Sequence, residues 1–522
     1  MESTWSLLLP HLHRLYDHAR RKQVRPIHQI LPHHPLTTGF RVTLGRAPPI
    51  HQISVEILCS IFSFSRSNLQ PHLGSFDVHR QNLSVLRLTA VCRHWRLVAI
   101  DYAILWRNIA FTTSALPTID CATTFLQRSK GASLYVHIWD IPKPGHLPSH
   151  MPPRSALAYL LSLISSQRNR IVFLEVIEPS TRLLDAFQGP AENVSQLIVQ
   201  GRTPRRHLDP FSAKLPNVQQ ITLIGPTPCR LGFLASLTRV TIHGGPRKWS
   251  IDAFLDCVDG CSSLRSLSVI QYPKFHPGSD SARTVPLPSL VNLRLDTCDA
   301  ATVLSRLDLP VTVSVSVCTN VEHISNNFDN IFSCLPSEIN RVNFLQNTRF
   351  LTIVFDKTHG DFHISGFNGA TPVFFLQVCG PLTQLGGNWV HRSLAAATNI
   401  LPFSGITSLT LVTENAHVPW ELWLRQSSHL STLDVCCADL GGLAVALKGT
   451  QGGGLLCHAL RNLSIEVPRD SWFRHENLLK SVIFWRKTRG SGLSSLTMNT
   501  NEWDYIRRLN PAWTDLIRCE GR

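Results

Sequence analysis

The sequence predicts an α/β chain: a small N-terminal helical domain followed by an irregular solenoid with a parallel sheet. Three observations predict it. Apolar residues recur at helical spacing in two runs between residues 55 and 99. From Ala132 on, short alternating apolar runs recur, and in the first half their spacing is 19 to 27 residues. With 522 residues, 43% hydrophobic and 16% charged, the chain is too long for one ordinary core and too apolar to be compositionally disordered.

The pentapeptide PIHQI occurs twice, at Pro26–Ile30 and Pro49–Ile53. The first copy runs into LPHHP, where Pro32 and Pro35 bracket His33 and His34 and stop a helix; adjacent histidines diverge, so a polar loop is expected rather than a metal-ligand pair. The second copy runs into SVEILCSIF, where Ser54 can cap a helix and Glu56 puts negative charge in its first turn. Val55, Leu58, Cys59 and Phe62 fall at i, i+3, i+4 and i+7, and Ile57 and Ile61 widen the stripe. Such a helix needs packing on two sides. Residues 63–87 are polar, contain Pro71 and Gly74, and read as a loop insert. A second helix is expected through LRLTAVCRHWRLVAID, with Leu88, Val91, Cys92, Trp95, Val98 and Ala99 as one continuous apolar face. A short third segment follows with Leu105 and Trp106.

These residues resemble the F-box, a helical motif that docks on the Skp-family adaptor of cullin-RING ubiquitin ligases. The matching positions are Ile53, Glu56, Ile57, Leu58, Ile61 and Phe62, then Val91, Cys92, Arg93, Trp95, Val98, Ala99, Leu105 and Trp106. The chain departs from the family pattern at Ser54, where proline is usual, and in the 25-residue insert. The resemblance implies that Ile53, Ile57, Leu58, Leu88, Val91, Cys92 and Trp95 form the adaptor-binding surface.

Beyond Ala132 the recurring unit is LxxLxxLxL with any apolar residue at L, as in LPNVQQITL, LASLTRVTI and LPSLVNLRL. The last apolar position marks a series at Val176, Val199, Leu223, Ile242, Val269, Leu295 and Val317, and then at Ile353, Val378, Leu411, Val435, Ile465 and Met498 with wider gaps. Periods of about 20–29 residues are those of leucine-rich repeats, in which stacked units share one core. The asparagine or cysteine that usually follows the strand is mostly missing: Pro226 and Gly245 stand there in two repeats, and Cys298 fits in one. Leu134, Val136 and Ile138 read as a leading strand, and Leu157, Leu160, Leu161 and Ile164 as a helix. Together with the F-box-like stretch these resemble the large fungal group of F-box proteins with degenerate leucine-rich repeats. The expected division is a variable segment at 1–48, the helical domain at 49–111, a connector at 112–170, the irregular repeats at 171–500 and a tail at 501–522.

The chemistry-bearing patterns are sparse. The sequence has no GxSxG, GxxxxGK[ST] or HExxH, and the Gly452–Gly454 run lacks the strand-to-helix framing of a nucleotide site. The 14 cysteines contain no CxxC pair and read as reduced thiols of an intracellular protein, cytoplasmic or nuclear. No apolar stretch reaches the about 20 residues that span a bilayer. The expectation is therefore a non-catalytic substrate receptor of an SCF-type ligase with no cofactor or metal, whose partners are the Skp-family adaptor, through it a cullin, and an unknown protein substrate. Gln219, Thr222, Arg239, Thr241, Arg294 and Asp296 lie between apolar positions and would face the substrate. The alternative is a repeat scaffold with a degenerate F-box; the net charge of +15 would then suit an acidic partner such as RNA, although no dense basic run points to nucleic acid.

Overall fold

Alternation of apolar and polar residues after each LxxL pair turns one face of every strand toward a shared core. The computed structural model describes residues 53–67, 75–112, 116–139, 154–177, 191–201, 215–225, 231–232, 234–244, 249–272, 274–276, 283–321, 329–356, 361–380, 388–413, 417–437, 440–449, 456–466, 472–499 and 517–518. The features read at residues 1–48, Pro71 and Gly74 of the insert, and the Gly452–Gly454 run lie outside these. From Val55 onward the chain forms one compact unit.

Three helices open it: α1 (Val55–Ser67), α2 (Ser75–Ala90) and α3 (Arg93–Asp101). A 3₁₀ turn at Ala103–Trp106 leads from them into β1 (Asn108–Thr112). Then come α4 (Leu116–Arg128), β2 (Leu134–Trp139), α5 (Arg154–Ser166), β3 (Ile171–Ile177), β4 (Gln196–Gln200), β5 (Gln220–Ile224) and β6 (Arg239–His243). Next are α6 (Ile251–Val258), β7 (Ser266–Tyr272), β8 (Val285–Pro286), β9 (Asn292–Thr297), α7 (Ala300–Ser305), β10 (Leu307–Asp308) and β11 (Ser314–Asn320). The last part holds β12 (Phe350–Asp356), β13 (Asp361–Asn368), β14 (Thr371–Cys379), α8 (Trp389–Ile400), β15 (Ser408–Thr413) and α9 (Trp420–Gln426). It ends with β16 (Thr432–Cys437), α10 (Gly441–Lys448), β17 (Asn462–Glu466), α11 (Trp472–Thr488), β18 (Ser495–Asn499) and β19 (Ile517–Arg518).

Among the described residues 17 strands form one sheet, and β8 with β10 makes a separate short parallel pair. Strands β1 to β7, β9 and β11 pair in parallel in chain order. The sheet thus begins at β1, and the stretch expected to be a connector supplies α4, β2 and α5. Leu197, Ile221, Val240, Leu267, Leu293 and Val315 stand in one register row, all buried.

The backbone explains the recurring motif. Its first two apolar residues form a turn in which the second amide donates to the first carbonyl, as from Leu237 to Leu234 at 3.0 Å and Leu290 to Leu287 at 3.1 Å. The residue after that turn offers its carbonyl to two amides of the next repeat: Gln219 O accepts from Thr238 and Arg239, Thr238 O from Arg265 and Ser266, and Arg265 O from Val291 and Asn292, at 2.8 to 3.0 Å. These bonds satisfy backbone groups that the turn would otherwise leave unpaired. The same pattern returns later, where Thr407 O accepts from Ser431 and Thr432 and Ser431 O from Arg461 and Asn462.

Between these two runs the strand order departs from the chain order that a simple repeat predicts. β11 pairs in parallel with β14, β14 and β12 flank β13 in antiparallel pairs, and β12 pairs in parallel with β15. The gap of 36 residues between the Val317 and Ile353 markers therefore carries the chain past two strand positions, and β14 returns to fill the place beside β11. The connections before β12 and after β14 meet: the Ile331 amide donates to Ser393 Oγ on α8 at 3.0 Å. From β15 to β19 the strands again pair in parallel and in order.

Two features fix the later packing. Trp423 of α9 is fully buried, donates its indole N–H to Leu394 O at 3.3 Å and packs against Phe403 with the rings tilted at 31°. Arg486 of α11 is also fully buried and donates to the carbonyls of Leu456 at 3.0 Å and Cys457 at 2.8 Å; burial holds its pKa below the usual arginine value.

Gly225 follows β5 with φ of +81°, and a Cβ there would run into the carbonyl oxygen of Gly201. Gly225→Ala should therefore lower unfolding free energy by about 1–3 kcal/mol. Urea denaturation should give a lower midpoint with an unchanged slope, and an unchanged midpoint would contradict the tight approach of these repeats.

Candidate docking face

The apolar character of α1 divides into two stripes. Leu58 and Phe62, four residues apart, are fully buried, whereas Ile57, Ile61 and Phe64 are exposed at 56%, 37% and 68%. The first stripe packs into the protein: the Phe62 ring meets the Trp95 ring of α3 edge to face at 5.3 Å. α2 and α3 add exposed Leu86 and Leu97, and Val91 between them is 49% exposed. Large exposed apolar side chains thus occur on all three opening helical segments.

The polar insert is not a loop throughout: α1 continues to Ser67, and Ser75–Ala90 is helical. Leu88 therefore belongs to the end of α2 rather than to a helix running through Trp95. The expected continuous helix is broken at Val91–Cys92. Cys92 has φ of −157° and ψ of 173°, and its Sγ accepts the Trp95 amide at 3.4 Å, so it caps the N-terminus of α3. Arg96 closes the corner by donating from Nε to Thr89 O at 2.9 Å.

Trp106 then fixes these helices to the sheet. It is fully buried, donates its indole N–H to Ala99 O at 2.6 Å, and packs edge to face on Phe125 of α4 at 4.9 Å. The Arg128 guanidinium lies 4.5 Å from the Trp106 ring centroid. Two residues on, β1 begins, with Ile109 and Phe111 fully buried.

Residues 55–112 match the F-box-like family. The matched stretch takes in α1 to α3, the Trp106 turn and β1, so the F-box-like domain ends inside the sheet. F-box domains generally bind Skp-family adaptors. A comparison with curated proteins gives no match.

Within the F-box-like domain the expected surface residues occupy different environments. Ile57 and Val91 are exposed; Leu88, Cys92 and Trp95 are half-buried, and Ile53, also half-buried, precedes the matched stretch. Leu58 is 0% exposed, because the position one residue from Ile57 turns about 100° around the helix into the core. Trp95 is divided, one edge on Phe62 and its Nε1 buried without a hydrogen-bond partner among the described residues. Phe64, Leu86 and Leu97 were not expected at the surface; Ile57, Ile61 and Phe64 at i, i+4 and i+7 were a second helical stripe available in the sequence.

The sheet presents a second surface on the side opposite its core. Thr222, Thr241 and Arg294 share one register row there with Ser268 between the last two, and Arg239 and Asp296 stand in neighbouring rows. Gln219 lies outside this group: it precedes β5, and its carbonyl belongs to the inter-repeat bonds. His243, on the same side, has a pKa held below its ordinary value by burial and then by the positive charge of Arg294.

The two stripes of α1 predict opposite responses to truncation. Leu58→Ala should cost about 2–5 kcal/mol of stability, whereas Ile57→Ala should stay within about 0.5 kcal/mol. Chemical denaturation of the two variants measures both, and equal losses would contradict the division of the helix.

Proposed function

We propose that this chain is the substrate-recognition subunit of an SCF-type cullin-RING ubiquitin ligase. The F-box-like match at residues 55–112, on helices that leave Ile57 and Val91 in water, carries this reading. In it the exposed stripe of α1, with Val91, docks on the Skp-family adaptor, and the adaptor connects the chain to a cullin. The strands form an irregular leucine-rich-repeat-like solenoid of the fungal F-box kind; the LxxL turns and the carbonyl bonds from repeat to repeat support that reading. The open strand side around Thr241 and Arg294 holds the protein substrate.

The chain itself makes and breaks no bonds. It raises the effective concentration of a substrate lysine near the ubiquitin thioester brought by the ligase, and a rigid mount between adaptor and substrate surface serves that purpose. Trp106, packed against both α3 and α4, supplies the mount. Among the described residues no helix is long and apolar enough to cross a membrane, and the reading places the protein in the cytoplasm or nucleus.

Mixing the purified chain with a Skp-family adaptor on a size-exclusion column tests the proposal. The wild type should co-elute with the adaptor, and the double variant Ile57→Asp/Val91→Asp should elute separately while keeping the wild-type melting temperature. Failure of the wild type to bind, or undiminished binding by a folded double variant, would overturn it.

A further inference from the structure

The sheet has a seam. Strands β1 to β7, β9 and β11 pair in chain order, β14 to β12 continue in reverse, and the pair β11–β14 is where the two runs join. On the open side of this pair Cys318 and Cys379 bring their sulfurs to 3.8 Å, although 61 residues separate them in the chain. Cys318 alternates with buried Val317 and Thr319, and Cys379 follows buried Val378, so both thiols point away from the core and are half-buried. Opposite Cys318 stand Asp296 on β9 and Gln377 on β14; Asn320 stands opposite Cys379.

We propose that Cys318 and Cys379 are a redox-active dithiol that closes to a disulfide across the seam when a peroxide oxidises it. Other cysteines offer a contrast. Cys334 and Cys457 are buried, donate to backbone carbonyls, and have thiol pKa values pushed up to about 12 by burial. Cys318 instead has a second thiol for its neighbour. Hydrogen bonding to Cys379, then burial, pushes the Cys318 thiol pKa up.

The chemistry balances with one hydrogen peroxide. The Cys379 thiolate attacks a peroxide oxygen, the O–O bond breaks, and hydroxide leaves and takes up a proton to become water; Cys379 is now a sulfenic acid. The Cys318 sulfur then attacks the Cys379 sulfur, the S–O bond breaks, and the hydroxyl leaves with the Cys318 proton as a second water. Two electrons pass from the two thiols to the peroxide. The sulfurs must close from 3.8 Å to about 2.05 Å, and because Cys379 pairs with Asn320 and Cys318 with Gln377, closure requires the two strands to shift as well as the side chains to turn. Among the described residues no group of three or more His, Cys, Asp or Glu side chains could hold a metal, which favours the disulfide over a metal site here. The staple would link the two runs of the sheet directly and close a loop containing β12 and β13.

Full-length protein in chelator-treated buffer, exposed to hydrogen peroxide, alkylated and digested without reduction, tests this independently of adaptor binding. The expected product is a cross-linked peptide pair joining Cys318 to Cys379, two hydrogens lighter than the reduced pair, together with a raised melting temperature that dithiothreitol reverses. Cys318→Ser and, separately, Cys379→Ala should lose both the cross-link and the shift. Recovery of both cysteines alkylated, or of either one over-oxidised without a partner, from wild-type protein that remains folded would overturn the proposal.

Discussion

Trp106 has no exposed surface, and every part of it is committed. Its N–H is bound to the last full turn of α3, its ring edge to Phe125, and its face to the Arg128 guanidinium. Removing such a side chain from a packed interior costs about 3–5 kcal/mol, a large part of the about 5–15 kcal/mol that holds a domain folded. The helices that expose Ile57 and Val91 therefore cannot swing on the sheet without opening that packing. Leu105, buried beside Trp106, and β1, two residues later, extend the same constraint into the first strands.

From β1 the architecture grows by one operation, repeated. An LxxL turn buries two side chains, presents a carbonyl to two amides of the next repeat, and delivers an alternating strand to the sheet. Local contacts suffice for this: the turns at Ala191–Val194 and Leu215–Val218 lead directly into β4 and β5, and β7 follows α6 and a turn of the same kind. The reversal at β12–β14 keeps the sheet continuous because β14 presents a parallel edge to β11 and β12 presents one to β15.

Much of this was legible in the residues. The i, i+3, i+4, i+7 stripe located α1, and the recurring apolar windows marked β3 to β7, β9, β11, β12 and β14 to β18 but not β8, β10, β13 or β19, because the marked elements are written in local apolar period. The break at Val91–Cys92 was hidden: the apolar run continues through it, and a cysteine rarely announces itself as a cap. α2 was hidden for the opposite reason, since in Ser75 to Gln81 only Phe76 and Val78 are apolar, and they stand two apart rather than three or four. The burial of Leu58 beside exposed Ile57 was not legible, because a motif match names positions without saying which way each side chain turns. The strand order at the seam is beyond any local pattern, since β12 and β14 carry similar apolar alternation and either could pair with β11.

The account rests on α1 to α3 being the adaptor face of a body that continues into the sheet. Hydrogen–deuterium exchange of the full chain with and without a Skp-family adaptor tests that most directly. It predicts slower exchange on binding within 55–67 and 84–97 and unchanged exchange in β3 to β7. Protection of the strands with none in those helical segments would contradict it.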